Sequence, residues 1–192
     1  MTRLAKLGVA VVTLAVVAFS VAITLATRTS ASERGSLSRI SNQGRLVPVR
    51  GARFARVLGA QQASLLAVRG SRAYYHVDGR DGPCIGSGPA DVPGELGTVQ
   101  CPRGPFPSAD RPVVDLSVYE STSREKRELS LYRAAGVAAD GVATIEFVRP
   151  NGSVALTLPV SGNVFAAASV PSGPIAGLVA RDAAGKQLWR SP

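Results

Sequence analysis

The chain has 192 residues, 45% hydrophobic and 5% aromatic, with 22 Lys and Arg against 13 Asp and Glu, so it carries a formal charge of +9. That length suits one domain with a linker, or two very small domains, and leaves enough chain to bury a core. The charge does not point to nucleic acid. Residues 1–56 hold nine basic groups against Glu33, while the remainder is nearly neutral with 13 basic and 12 acidic groups, and a duplex-binding domain needs a basic face of its own.

Residues 7–26, LGVAVVTLAVVAFSVAITLA, contain no charge. A helix of that length, rising about 1.5 Å per residue, crosses a hydrocarbon core of about 30 Å. Residues 1–27 are therefore expected to be a signal anchor, or else a signal peptide, with the lipid bilayer as the partner of residues 7–26. Thr29-Ser30-Ala31 offers a small-x-small site for cleavage before Ser32, whereas the long apolar stretch argues for retention. No cysteine follows the apolar run closely, which excludes a lipoprotein. Arg3 and Lys6 on one side nearly balance Arg28, Arg34 and Arg39 with Glu33 on the other, so the charge rule for orientation barely votes. The cysteines decide for an external C-terminal domain: a single-pass protein of the cell membrane, or a secreted one if the leader is cleaved.

Residues 28–56 are rich in Arg, Ser and Gly and read as a flexible basic linker. A second role is contact with anionic lipid or a wall polymer. The chain uses 19 Arg but only 3 Lys, with abundant Ala and Gly. That bias looks like GC-rich coding, so the choice of Arg receives no functional weight. Residues 57–192 form the expected extracytoplasmic β-domain. Ala63–Arg69 and Ala73–Val77 flank Gly70-Ser71-Arg72 as a hairpin, although ARFARVLGAQQASLL over 52–66 competes as a helix.

Residues 78–112 hold seven Gly and seven Pro in 35 positions, which predicts a loop without regular structure. Cys84 and Cys101, the two cysteines of the chain, lie inside it. In an exported domain such a pair most simply forms one disulfide, worth about 3 kcal/mol for a loop of this size in the chain-entropy model. Redox chemistry favours Cys-x-x-Cys, and zinc needs three or four ligands, where His76 is the one histidine available.

Further on, Val113–Tyr119 alternates, with Val114, Leu116 and Val118 on one face and Asp115, Ser117 and Tyr119 on the other. Arg124–Glu128 interrupts as a charged loop, and Leu129–Ala134 resumes an extended pattern. Val142–Val148 places Ala143, Ile145 and Phe147 on one face, and Asn151-Gly152 is a strong hairpin turn. Val154–Leu158 returns with Val154, Leu156 and Leu158 inward. Asn163–Ser169, Ile175–Ala180 and Gln187–Trp189 follow, the last after a turn at Ala183-Ala184-Gly185. Short strands with frequent Gly and Pro predict a mainly β fold, an antiparallel sandwich or a small barrel.

Chemistry is hard to find along this chain. A nucleophilic triad needs a base beside Ser or Cys, and His76 reads as an ordinary strand histidine on the face of Tyr74. Gly86-Ser87-Gly88 lacks the strand–elbow–helix setting of a hydrolase nucleophile. Asp78/Asp81 and Glu125/Glu128 read as solvated carboxylates, and Asn151-Gly152-Ser153, which matches a glycosylation sequon, reads as a hairpin turn instead. No catalytic, metal-ligating or cofactor-binding residue is expected. Tyr74, Tyr75 and Trp189 are the candidate contact surface, toward an envelope protein or wall polymer, with Trp189 read first as a plug of the sandwich core and second as an exposed contact.

Cys84-Ile85-Gly86, Val99-Gln100-Cys101-Pro102 and Phe106-Pro107-Ser108, in that order, together with Arg111-Pro112-Val113-Val114-Asp115-Leu116-Ser117, Gly136-Val137-Ala138-Ala139-Asp140-Gly141-Val142 and Asn163-Val164-Phe165, resemble a group of exported or membrane-anchored proteins of high-GC actinobacteria. The resemblance spans roughly residues 60–185 and carries no catalytic motif. It implies an envelope location and an immunoglobulin-like β-domain, and assigns no activity. The expected role is therefore non-catalytic, binding or structural, at the cell envelope. The alternatives are the sensor arm of a membrane regulator and an envelope enzyme of unfamiliar type.

Overall fold

A computed structural model of the chain describes residues 44–104, 106–121, 129–167 and 169–191. The apolar segment 7–26, the first part of the expected linker and the charged run 124–128 lie outside the described residues. Among the described residues no helix is long and apolar enough to cross a membrane. The fold is mainly β and its sheets are antiparallel, as the strand pattern predicts.

The first sheet orders its five strands as in the sequence: β1 (Leu46–Pro48), β2 (Gln62–Arg69), β3 (Arg72–Gly79), β4 (Gly82–Pro89) and β5 (Thr98–Gln100). One helix, α1 (Ala52–Leu58), joins β1 to β2. The helical reading of 52–66 thus holds for seven residues. Gly59 then takes a left-handed conformation, which ends the helix and releases the chain into β2. The linker expected to reach residue 56 ends sooner. Val47 and Leu58 are buried, and the Arg50 amide donates to Gly94 O at 2.8 Å. Apolar residues spaced among the arginines had been masked by the charge.

The 78–112 stretch is a second departure, because β4 and β5 lie within it. β4 pairs with β3 from Gly79↔Gly82 to Arg72↔Pro89. Its glycines serve close approach rather than looping: a Cβ on Gly88 would stand 1.7 Å from the Glu95 carbonyl oxygen, and one on Gly86 2.9 Å from Leu96 Cδ2. The chain from 95 to 96 crosses directly over β4.

The remaining strands are β6 (Val113–Asp115), β7 (Val118–Ser121), β8 (Leu129–Arg133), β9 (Ala135–Ala138), β10 (Thr144–Val148), β11 (Val154–Pro159), β12 (Val164–Ala166), β13 (Gly177–Arg181) and β14 (Gln187–Arg190). They form a three-stranded sheet β12-β9-β6, a four-stranded sheet β11-β10-β13-β14 and a β7-β8 pair. The single strand expected over Val113–Tyr119 breaks in two. Asp115 Oδ1 accepts the Ser117 amide at 2.9 Å, and Ser117 Oγ accepts the Ala135 amide at 3.1 Å, so side chains take over the ladder there.

Three apolar cores separate these layers. The first sheet packs Val47, Tyr75, Val77 and Cys84 with Leu58 and Leu96 on one face. On its other face Tyr74 and Ile85 meet Val114, Val137 and Val164 of the three-stranded sheet. That sheet turns Val113, Ala138 and Phe165 the opposite way, onto Ile145, Phe147, Leu158, Leu178 and Ala180 of the four-stranded sheet. Phe147 and Phe165 meet edge-on with centroids 6.3 Å apart. Val154, expected inward, is 49% exposed. The pairing shifts from Phe147↔Leu156 to Val148↔Val154, and the extra residue Ala155 breaks the alternation.

Candidate functional site

The hairpin between β2 and β3 turns on Gly70 and Ser71, which leaves Arg69 and Arg72 as directly paired cross-strand neighbours. Like charges in that relation repel. A third guanidinium arrives from elsewhere, since Arg133 is the last residue of β8. The three arginines line a cleft of about 510 Å³ together with Tyr74, Ala134, Ala166 and Ala167, and among the described residues no acidic residue lines it. The Tyr74 ring belongs to the core between the first and three-stranded sheets.

Each arginine is held differently. Arg69 Nη1 donates to Val68 O at 3.0 Å, and Arg69 Nη2 donates to Ser161 O. Arg72 Nη2 donates to Ser87 Oγ at 3.1 Å, an arrangement that pairs a buried hydroxyl in the middle of β4. The Nε atoms of Arg72 and Arg133 are buried without hydrogen-bond partners. Among the described residues, none of the three arginines forms an ion pair; the two pairs present are His76–Asp78 and Arg181–Glu146.

The electrostatics agree with this geometry. Burial, reinforced by Arg133, lowers the Arg72 pKa. Burial also raises the Tyr74 hydroxyl, while Arg133, Arg72 and Arg69 all pull it back down. Three positive charges therefore surround one phenol without a described counter-charge. Guanidinium forks match oxyanions, and charge-assisted hydrogen bonds to them are the strong kind. The cleft is equipped to hold an anion.

The residues singled out from the sequence are placed elsewhere. Tyr74 and Tyr75 are 2% and 1% exposed and point to opposite faces of β3, so they cannot form an open contact surface together. Strand alternation requires this separation. The Tyr75 hydroxyl accepts the Gly94 amide at 3.0 Å and so anchors the chain that crosses β4. Trp189 is half-buried against the core of the four-stranded sheet. It lines a separate cleft of about 400 Å³ with Cys101, Pro102, Arg111 and Asp115.

Cys84 and Cys101 form the expected disulfide, with Cα atoms 4.1 Å apart. In the neighbouring network the Tyr119 hydroxyl donates to Asp115 Oδ2 at 2.7 Å; burial first, and then Asp115, hold its pKa far above the usual phenol range. His76 Nδ1 lies 3.8 Å from Asp78 Oδ1, beyond hydrogen-bond reach. Its pKa is lowered by burial against a smaller opposing pull from Asp78. Ser87 is buried and bonded to Arg72, which leaves it without nucleophile geometry. Among the described residues no three His, Cys, Asp or Glu side chains group as metal ligands.

No family model, curated protein or solved structure matches the chain.

Sequence reasoning missed the arginine cleft because it assigned the arginines to codon bias. One signal was present: Arg69-Gly70-Ser71-Arg72 closes a two-residue hairpin with an arginine on each side. Arg133 gave no sign, since only the stacking of the sheets brings it to the hairpin.

Proposed function

We propose that this chain is a membrane-tethered extracytoplasmic β-domain with a non-catalytic binding role at the cell envelope, and that its ligand presents an anionic group to the cleft of Arg69, Arg72 and Arg133. The observation that carries the reading is three arginines lining one cleft that no acidic residue lines among the described residues. The apolar segment 7–26 supplies the tether, and the disulfide agrees with an oxidising location. We read residues 113–190 as an immunoglobulin-like sandwich in which β12-β9-β6 faces β11-β10-β13-β14. Such domains serve mainly as rigid carriers of binding sites.

The test uses the full chain in a mild detergent. Its melting midpoint is followed against acetate, citrate, sulfate and phosphate at constant ionic strength, beside the Arg133→Gln variant. A ligand at a hundred times its Kd stabilises by about 2.7 kcal/mol. At least one anion is expected to raise the midpoint saturably in the native chain and markedly less in the variant. Identical curves for both proteins in every anion would refute the site. Protease digestion of the C-terminal domain in intact spheroplasts tests the address, and protection until lysis would overturn it.

A further inference from the structure

We infer that the ligand group of the arginine cleft is a phosphoryl dianion, the end of a phosphate monoester, rather than a carboxylate. The inference rests on the anion-binding reading above and narrows it.

The argument begins with charge. Arg69, Arg72 and Arg133 bring three positive charges to the cleft, and among the described residues Tyr74 is the one other ionisable residue lining it. A carboxylate would leave two of the three charges uncompensated beside partly buried groups. A phosphate monoester carries about −1.5 to −2 near neutral pH and offers three acceptor oxygens. Geometry points the same way. The guanidiniums come from three strand ends, β2, β3 and β8. Arg69 and Arg72 face each other across one hairpin and Arg133 comes from the end of β8, so donors from two sides suit a tetrahedral group with three free oxygens better than a planar carboxylate with two.

The cleft also has room beyond the charged group. Its volume of about 510 Å³ falls within the range of small-molecule sites. Ala134, Ala166 and Ala167 give it a small, apolar wall, against which the organic part of the ester rests. Among the described residues no Asp, Glu or His, the side chains that ordinarily change charge between about pH 4 and 7, lines the cleft. Any change in affinity between pH 5 and 7.5 therefore belongs to the ligand.

Binding of methyl phosphate, sulfate and acetate to the full chain in detergent, measured by calorimetry at pH 5 and pH 7.5, tests the inference. With a second phosphate pKa near 6, methyl phosphate is expected to bind on the order of tenfold more tightly at pH 7.5. Sulfate, doubly charged at both pH values, is expected to bind equally at both. Acetate is expected to bind at least tenfold more weakly than methyl phosphate at pH 7.5. Arg133→Lys, which keeps the charge but loses the fork, is expected to bind methyl phosphate with intermediate affinity between the native chain and Arg133→Gln.

Acetate matching methyl phosphate, or a methyl phosphate affinity unchanged between the two pH values, would overturn the phosphoryl assignment and leave the anion site standing. Absence of binding by all three probes would instead defeat the site itself. Competition then identifies the source. Displacement of methyl phosphate by phosphatidic acid vesicles at lower phosphate concentration than by glycerol phosphate assigns a lipid headgroup, and the reverse order assigns a free phosphoester; either order supports the phosphoryl group.

Discussion

Replacing Gly88 by alanine tests the packing of the first sheet at its tightest point. The added Cβ would lie 1.7 Å from the Glu95 carbonyl oxygen, 2.7 Å from its carbonyl carbon and 3.4 Å from Leu96 Cα. These are backbone atoms, so no side chain can swing aside. The 95–96 segment must retreat by roughly 1.5–2 Å to regain ordinary contact. It is tied by Gly97 N to Ser87 O at 2.9 Å and by Gly94 N to the Tyr75 hydroxyl at 3.0 Å, and Leu96 is buried in the core beneath. Overpacking costs about 1–3 kcal/mol, and two weakened hydrogen bonds add about 1 kcal/mol each. Gly88→Ala is therefore expected to destabilise the chain by about 4 kcal/mol. Urea unfolding followed by circular dichroism would show the midpoint falling by about 2 M if the slope is about 2 kcal/mol per molar. Gly97→Ala is the control, nine residues away. Its Cβ would meet nothing closer than 3.8 Å, so it should be neutral or stabilise by up to about 1 kcal/mol through the unfolded chain. Equal effects of the two substitutions, or a Gly88→Ala loss below about 1 kcal/mol, would refute this account of the β4 glycines.

Three further outcomes are expected. Replacing Cys84 and Cys101 together by alanine should cost about 3 kcal/mol in the same assay; a loss below about 1 kcal/mol would mean that β4–β5 pairing alone holds the loop. Asn163 takes φ +63 and donates from Nδ2 to Ala138 O at 3.0 Å and Asp140 Oδ1 at 2.9 Å. Asn163→Ala should cost about 2–3 kcal/mol through backbone strain and lost bonds, and Asn163→Gly should cost less because the strain is relieved; the reverse order would contradict the strain argument. Burial lowers the His76 pKa below its unfolded value of about 6.5. Its contribution is therefore complete above pH 6.5 and is lost as pH falls through the depressed folded value, so the native chain should lose stability over that window more steeply than His76→Gln. Parallel pH profiles would refute this.

The last fifty residues were legible because β10 and β13 set a dense apolar face on the core, and Asn151-Gly152 marks the turn between β10 and β11. Ile145 and Phe147 sit in the core as the alternation requires. The Val154 error came from a bulge, which no alternation count can register. The three-stranded sheet was harder to read. Both its faces are covered, so β9 shows Ala-Gly-Val-Ala without polar alternation, and a strand of small residues looks like a loop. In β4 the difficulty is reversed: Gly86 and Gly88 look like loop residues because the Leu96 side chain and the Glu95 carbonyl take the space of their side chains. Tyr74 and Tyr75 were recognised as important but misplaced, since adjacent strand residues serve opposite faces and here both faces are buried.

The same layering explains why the arginines meet. Arg69 and Arg72 stand at one end of the first sheet, and Arg133 and Ala134 at the passage from β8 to β9. The core of Tyr74, Ile85, Val114, Val137 and Val164 brings these two places together. Stability alone disfavours the result, because it sets like charges side by side and leaves two guanidinium Nε atoms buried without partners. An apolar residue at position 133 would relieve part of that repulsion. On the proposed reading a bound anion relieves it too, through charge-assisted hydrogen bonds that link the β2–β3 hairpin to the end of β8. On the proposed reading, binding in the cleft and stability are coupled, and a ligand that fills it should raise the resistance of the chain to unfolding.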